Sequence, residues 1–491
     1  MQKCTLTIHD EVNCTFSGLD LKLRNQLVKD FKRMIPGMQY IPSVRLGRWD
    51  GKKLFFSLAG STFINLLDEI LPILDRYEYT VDVIDNRINK QQFEFELVDE
   101  NKYAHLNWPV GHENAGQPIK LRDYQVDMVN TFLNNPQSIY CAGTGSGKTL
   151  ATVAMSHSVE KYGRTIVIVP NKSLVTQTER DYKLCKLDVG VWFGDRKEFG
   201  HTHTICTWQS LNVLLKKKKN RPVEEELLEG ISIDDMLKDV VAVIGDECHL
   251  SKANVQIELF TGVFANVPIR WGLTGTIPKD DHDWWCLLCS IGPLVGTIAA
   301  SELQEQGVLS NCHVHIKQLV DYGDYQNYQN ELKYLVGDTD RLTYISGLIE
   351  QISKTGNTLV LVDRIETGEL LESLIPNSVF LSGRDKVSKR KVEYDSIEVI
   401  DNKTLIATYQ IAAVGISIVR LNNLVLLEAG KSFTKTIQSI GRGLRKGFDK
   451  DFVNIYDVSS TCKYSKRHLT KRKTYYKEAE YPFTVDKVTW K

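Results

Sequence analysis

Short apolar runs that end in small, hydroxyl-bearing or acidic residues recur along the chain. Thr165-Ile-Val-Ile-Val-Pro170, Val240-Val-Ala-Val-Ile-Gly245 and Arg270-Trp-Gly-Leu-Thr-Gly-Thr276 lack a regular wet face, the pattern of strands buried on both sides of a parallel sheet. A second series, Asn357–Val362, Ser378–Ser382, Lys403–Thr408, Asn423–Glu428 and Phe452–Tyr456, is separated by helical stretches and predicts a second parallel sheet. The first hundred residues read differently. Thr5 to His9 alternates as a strand, Leu23, Leu27, Phe31 and Met34 share one face of a helix from Leu19 to Met34, and a helix near Ile64 to Tyr77 precedes a strand at Thr80 to Ile84. The expected fold is therefore α/β, with two tandem parallel-sheet lobes and a small N-terminal α/β domain. Expected boundaries are 1–100 for that domain, 101–118 for a linker without periodicity, 119–300 and 301–460 for the lobes, and 461–491 for a basic C-terminal tail.

A chain of 491 residues exceeds what one core organises. Its 61 basic and 61 acidic residues cancel, which excludes a simple polycation. The distribution is uneven, however: Leu21 to Lys53 and Lys431 to Lys491 are basic and would meet partners that carry phosphate. No apolar run approaches the roughly 20 residues of a membrane helix, and the first residues lack a charged-then-apolar leader. A soluble, cytoplasmic protein with no membrane partner is expected. Ten cysteines scattered singly through apolar segments suit buried thiols in a reducing compartment.

The strongest chemical signal is Ser138-Ile-Tyr-Cys-Ala-Gly-Thr-Gly-Ser-Gly-Lys-Thr149, an apolar run that breaks into a glycine-rich loop. Gly143, Gly145 and Gly147, with Thr144 and Ser146 between them, let successive N–H groups face one anion, and the helix starting near Lys148 adds its positive dipole end. Lys148 would hold the β- and γ-phosphates of a nucleotide, and Thr149 would place its hydroxyl on Mg²⁺. The first glycine of the phosphate-loop pattern is Ala142 here. Upstream, Gln125 can read an adenine edge with its paired donor and acceptor. Downstream, the strand ending at Gly245 runs into Asp246-Glu-Cys-His249, and two acids after a buried strand are costly unless a cation or a water uses them. Asp246 fits a Mg²⁺ ligand, Glu247 fits the group that orients and deprotonates water, and His249 could link the γ-phosphate to the rest of the machine.

The second series contains no phosphate cradle, so one nucleotide is expected. It offers instead Gln438-Ser-Ile-Gly-Arg-Gly-Leu-Arg445, where Arg442 and Arg445 are neighbours on a helix face and suit a charge clamp on a γ-phosphate. Ile411 to Ser417 would bring Gly415 to the nucleotide cleft.

Other stretches point to nucleic acid. Asp50-Gly51 reads as a tight hairpin turn presenting Arg48, Trp49, Lys52 and Lys53: either a phosphate-and-base contact with Trp49 as a wedge, or a solvated turn with a half-buried tryptophan. Asn171, Lys172 and Thr207 lie just beyond strand ends, where ligands of open α/β sheets bind, and equally where helix caps occur. Lys463 to Lys477, with Tyr464, Tyr475 and Tyr476, fits a nucleic-acid track or a solvated helix. Lys216 to Glu226 is a charge block read as an exposed insertion. Cys286-x-x-Cys289 lacks two further zinc ligands at sensible spacing, and its apolar surroundings favour a core helix.

Tyr124-Gln125, Ala142 to Thr149, Pro170 to Gln177, Asp246 to His249, Thr274-Gly-Thr276, Gly415-Ile-Ser417 and Gln438 to Arg445 occur in an order that resembles a superfamily 2 helicase over residues 119 to 458. Gly47 to Gly51 and Thr207-Trp-Gln209 add similarity to the branched-DNA helicases of T-even-type phages. The resemblance implies two RecA-like lobes, ATP and Mg²⁺ as cofactors, Glu247, His249, Gln438, Arg442 and Arg445 as catalytic residues, and hydrolysis coupled to unwinding. It also implies branch migration, fork regression, R-loop unwinding and strand annealing in a host bacterial cytoplasm, on branched, single- or double-stranded DNA or RNA–DNA hybrids, with recombination or single-strand-binding proteins as partners. Ser417 stands where many members carry Asp, which puts a ribose contact there in doubt. Two rival readings differ in consequence: a motor subunit of a restriction or repair complex, and a non-catalytic annealing or structure-binding protein.

Overall fold

Runs of β-branched and leucine side chains with no polar face satisfy their backbone only inside a sheet covered on both sides, and most of the expected runs are found there. The computed structural model describes residues 2–110, 112, 114–194, 196–198, 200–218, 233–250, 253–385, 387–397, 399–412, 420–430, 440–441, 444 and 451–491. They divide into two units, one comprising Met1–Pro109, Gly116–Ala142 and Gly147–Thr297, the other Val110–Ala115, Gly143–Ser146 and Ile298–Lys491.

The first unit holds an eight-stranded sheet in the order Arg196–Lys197, Val189–Phe193, His203–Thr207, Arg164–Val169, Val240–Gly245, Ile269–Thr274, Gln137–Ala142 and Leu294–Ile298. The five central pairings among these strands are parallel. Parallel neighbours need crossover connections, which here carry helices such as Lys148–Val159 and Lys172–Leu184. The same unit contains the N-terminal four-stranded sheet, ordered Ser61–Phe63, Asn13–Ser17, Gln2–Ile8 and Tyr79–Asp85. Its core does not close by itself. Phe31, Phe55 and Leu27 pack with Trp285, Cys286 and Cys289 of the helix Asp281–Ser290, and Arg33 lies 3.7 Å over the Trp285 ring. Cys-x-x-Cys is thus part of an apolar seam, and burial pushes the Cys286 thiol up to about 12.

Within the stretch 101–118, expected as a linker, Tyr103 is fully buried and its hydroxyl pairs with His157 of the first unit at 3.2 Å. The expected Asp50-Gly51 hairpin takes another form. Lys32–Met34 pairs antiparallel with Lys52–Leu54, so the intervening segment is a long excursion carrying a short helix at Pro42–Arg45. Asp50 accepts from the Lys52 N–H and pairs with Lys32, which makes it an anchor of that excursion.

The second unit has a seven-stranded sheet ordered Ser378–Leu381, Thr404–Thr408, Thr358–Val362, Asn423–Leu427, Phe452–Ser460, Asn311–Leu319 and Phe483–Val488, all pairs parallel. The stretch 461–491, expected as a basic tail, instead completes this unit with the helix Lys463–Glu478 and the edge strand Phe483–Val488. Among the described residues no helix is long and apolar enough to cross a membrane.

Candidate active site

Gln137–Ala142 ends where Gly145 and Gly147 adopt φ of +91° and +74°, the left-handed region that glycine enters without strain. Gly143 to Ser146 turn tightly, with the Ser146 N–H donating to the Gly143 carbonyl at 3.2 Å. Lys148 then begins its helix with Gly147 as N-cap. The N-terminal N–H groups and dipole of this twelve-residue helix form the anion-holding end expected of a phosphate loop. The φ of Gly147 favours glycine, and a Cβ there would sit 2.4 Å from Gln125 Nε2 and push that amide away from the loop. Gln125 is buried; its Oε1 accepts from the Arg122 N–H at 2.9 Å and its Nε2 donates to the Gly147 carbonyl at 3.2 Å. The structure thus ties Gln125 to the loop itself.

The buried strand Val240–Gly245 delivers the acids to the same end of the sheet. The Asp246 N–H extends the ladder by donating to the Ile168 carbonyl at 2.8 Å. Glu247 sits at φ +47°, a strained position for a side chain bearing a Cβ, and such strain concentrates at functional sites. Its Oε1 is 3.3 Å from Lys148 Nζ, and its Oε2 accepts from the Gly275 N–H at 3.1 Å. Lys148 Nζ also donates to the Ala142 carbonyl at 3.0 Å, so strand end, loop lysine and Glu247 form one linked group. Thr274 Oγ1 donates to the Thr276 carbonyl at 2.7 Å; its single proton is thereby committed, and the 2.6 Å contact with His249 makes Nδ1–H the donor there. Burial holds His249 below its ordinary range, the Glu247 carboxylate opposing the shift and the Lys148 charge adding to it.

These residues fit the chemistry read from the sequence. The Thr149 hydroxyl and Asp246 carboxylate are oxygen donors of the kind a hard divalent cation takes. Among the described residues no group of three or more His, Cys, Asp and Glu side chains could hold a metal ion. Gln438, Arg442, Arg445 and Gly415 lie outside the described residues.

The nucleic-acid candidates separate. Arg48, Trp49 and Lys52 are exposed, Trp49 at 40%. Lys53 is not a free cation: burial draws its ammonium below the ordinary range and it lies 5.7 Å over the Phe55 ring. Asn171 caps the helix Lys172–Leu184 through Oδ1, Lys172 is exposed, and the Thr207 hydroxyl accepts from the Ser210 N–H at the start of the helix Trp208–Lys218. Asn171 and Thr207 thus serve as helix caps in this structure. Sequence reasoning missed Gly275, whose N–H orients Glu247; only its place beyond a strand end hinted at it.

Residues 118–279 match the family model described as "Type III restriction enzyme, res subunit". The chain is 23% identical over 473 residues to the ATP-dependent DNA helicase uvsW of Enterobacteria phage T4, an alignment covering 89% of this chain and 87% of that one. The chain is similar to the superfamily 2 helicases. This helicase is also 23% identical over 380 residues to a DNA 3'-5' helicase XPB of Kineococcus radiotolerans, over 74% of this chain and 64% of the relative. Among solved structures, the T4 UvsW crystal structure aligns over the whole of both chains at 19% identity with a TM-score of 0.47. The Type ISP restriction-modification enzyme LlaBIII bound to DNA aligns over 76% of this helicase and 32% of its own chain, at 14% identity and a TM-score of 0.57. The fold is that of tandem RecA-like lobes.

Proposed function

We propose that this ATP-dependent DNA helicase remodels branched DNA, by branch migration, fork regression and R-loop unwinding, with strand annealing alongside. The supporting observation is the extent of its likeness to the T4 helicase, which covers 89% of this chain and 87% of that one. Exchange of one duplex for another of nearly equal stability needs only a biased motor rather than a long-range processive one. In the proposed cycle, the loop Gly143 to Gly147 and Lys148 bind the triphosphate of ATP, and Gln125, bonded to the Gly147 carbonyl, braces that loop. Glu247, oriented by the Gly275 N–H, takes the proton of the attacking water. Arg442 and Arg445, with Gln438 beside them, neutralise charge developing on the γ-phosphate, and His249 passes the change to Thr274. Thr149 and Asp246 would hold Mg²⁺, which, when bound, neutralises phosphate charge. The exposed Arg48, Trp49 and Lys52 meet the junction, Trp49 as the stacking element. The site of action is the cytoplasm of a bacterial host, where recombination or single-strand-binding proteins are the natural company.

A second reading, a motor subunit of a restriction complex, draws on the family matched by residues 118–279. Gel assays on forks, four-way junctions and R-loops decide between them. Wild-type protein should remodel all three with ATP and without other subunits, and Lys148→Ala should lose unwinding while keeping annealing. Equal loss of both activities would contradict the separation of roles, and failure on all branched substrates would reject the proposal.

A further inference from the structure

The helix Lys463–Glu478 has two unlike faces. With successive residues about 100° apart, Ser465, Leu469, Arg472 and Tyr476 share one side, and all four are buried. That side is bolted down. Arg472 donates to both Asp457 oxygens at 2.8 and 2.7 Å, and Ser465 Oγ donates to Glu428 at 2.8 Å. At the helix start the Glu331 carboxylate accepts from the Tyr464 and Ser465 N–H groups at 2.9 and 2.6 Å, which caps the positive dipole end. The helix is therefore a fixed element of the second unit, and its outer face is held in a constant geometry.

That outer face carries Lys463, Lys466, Arg467, Lys471, Lys473 and Lys477, the first three, Lys471 and Lys477 exposed and Lys473 half-buried. None of the six forms an ion pair among the described residues, although Arg341 and Arg472 of the same unit are both paired. Like charges four apart, as at Lys463 with Arg467 and Lys473 with Lys477, repel one another along a helix. In a chain whose charges cancel overall, such a stripe with a single acid, Glu478, is a concentrated local bias. The stripe runs roughly 21 Å along the helix axis. It contains no aliphatic residue, its apolar members being the half-buried rings of Tyr464 and Tyr475, with Lys463 and Arg467 lying 5.7 and 6.0 Å over Tyr464, so it lacks the aliphatic anchors of a protein interface. A linear polyanion needs no such anchors.

We propose that the outer face of Lys463–Glu478 binds the phosphate backbone of duplex DNA, as a second contact surface separate from the Trp49 excursion. The inference rests on the reading that the protein acts on DNA. It makes the face sequence-independent and strongly salt-dependent, since every phosphate neutralised releases condensed counterions.

The test is titration of full-length protein with a fluorescent 30-base-pair duplex across a salt series. The triple variant Lys466→Gln, Arg467→Gln, Lys471→Gln and a second, Lys463→Gln, Lys473→Gln, Lys477→Gln, are compared with wild type after thermal melts confirm each fold. Each triple variant should bind at least about tenfold more weakly, and its log–log salt slope should fall by up to about 2.7 if all three cations meet phosphates. Variants that match wild type in affinity and slope overturn this inference alone. A wild-type protein that binds no duplex overturns the DNA reading and this inference with it.

Discussion

Replacing Arg472 with alanine should destabilise the second unit severely. The guanidinium is wholly buried and contacts Asp457 through two nitrogens, the Ser459 hydroxyl at 2.6 Å and the Gly430 carbonyl at 2.6 Å. Asp457 is equally inaccessible, so deletion of its partner leaves a carboxylate in the interior supported mainly by the Tyr476 hydroxyl at 2.8 Å. Loss of one member of such a pair costs about 3–5 kcal/mol, because the remaining charge keeps its desolvation penalty without its Coulombic partner. For a domain of this size each kcal/mol moves Tm by roughly 2–4 °C, so a drop of about 6–20 °C is expected. Thermal unfolding followed by circular dichroism measures it. The double variant Arg472→Gln, Asp457→Asn removes both charges and keeps hydrogen-bonding groups, and should recover most of the loss. A single variant that melts within about 2 °C of wild type would show that the helix is not anchored as described and would restore its reading as a solvated appendage.

Two further outcomes follow from local geometry. Gly147→Ala places a Cβ at φ +74° and 2.4 Å from Gln125 Nε2; backbone strain of about 1–2 kcal/mol plus that clash should weaken ATP binding at least about tenfold, and an affinity within twofold of wild type by nucleotide titration would contradict the cradle. Arg196 holds the Glu179 carboxyl down from 4.5 to about 2. A lowered carboxylate pKa stabilises the fold above the unfolded value and loses that contribution as pH falls through the folded value, so wild type should be more stable than Arg196→Ala near neutrality and the gap should close between pH 4.5 and about 2. A gap in denaturant midpoint that ignores pH across that window would refute the pairing.

The parallel sheets were legible because burial on both faces leaves a plain signature: Arg164–Val169, Val240–Gly245 and Thr358–Val362 are uninterrupted β-branched and leucine runs with turn residues at each end. Strands with one polar face were not. Asn311–Leu319 alternates His313, His315 and Lys317 with buried Cys312, Val314 and Ile316, and Phe483–Val488 lies at the sheet edge with most residues exposed, and neither is among the predicted strands. Composition also cannot distinguish a surface cation from one committed to a buried acid, as Arg472 is, or lying over an aromatic ring, as Lys53 is. At the candidate active site the residue types and spacing singled out Lys148, Asp246 and Glu247, and Lys148 and Glu247 lie 3.3 Å apart. The orienting Gly275 N–H did not follow, because a backbone donor has no side-chain signature.

The account turns on Glu247 as the base for ATP hydrolysis, and steady-state ATPase of wild type and Glu247→Gln in the presence of forked DNA tests it most directly. The variant keeps the shape of the side chain and loses the proton acceptor. Its kcat should fall by about 10²–10⁴ while ATP affinity stays within a few-fold. A variant that hydrolyses ATP within tenfold of the wild-type rate would contradict the central claim.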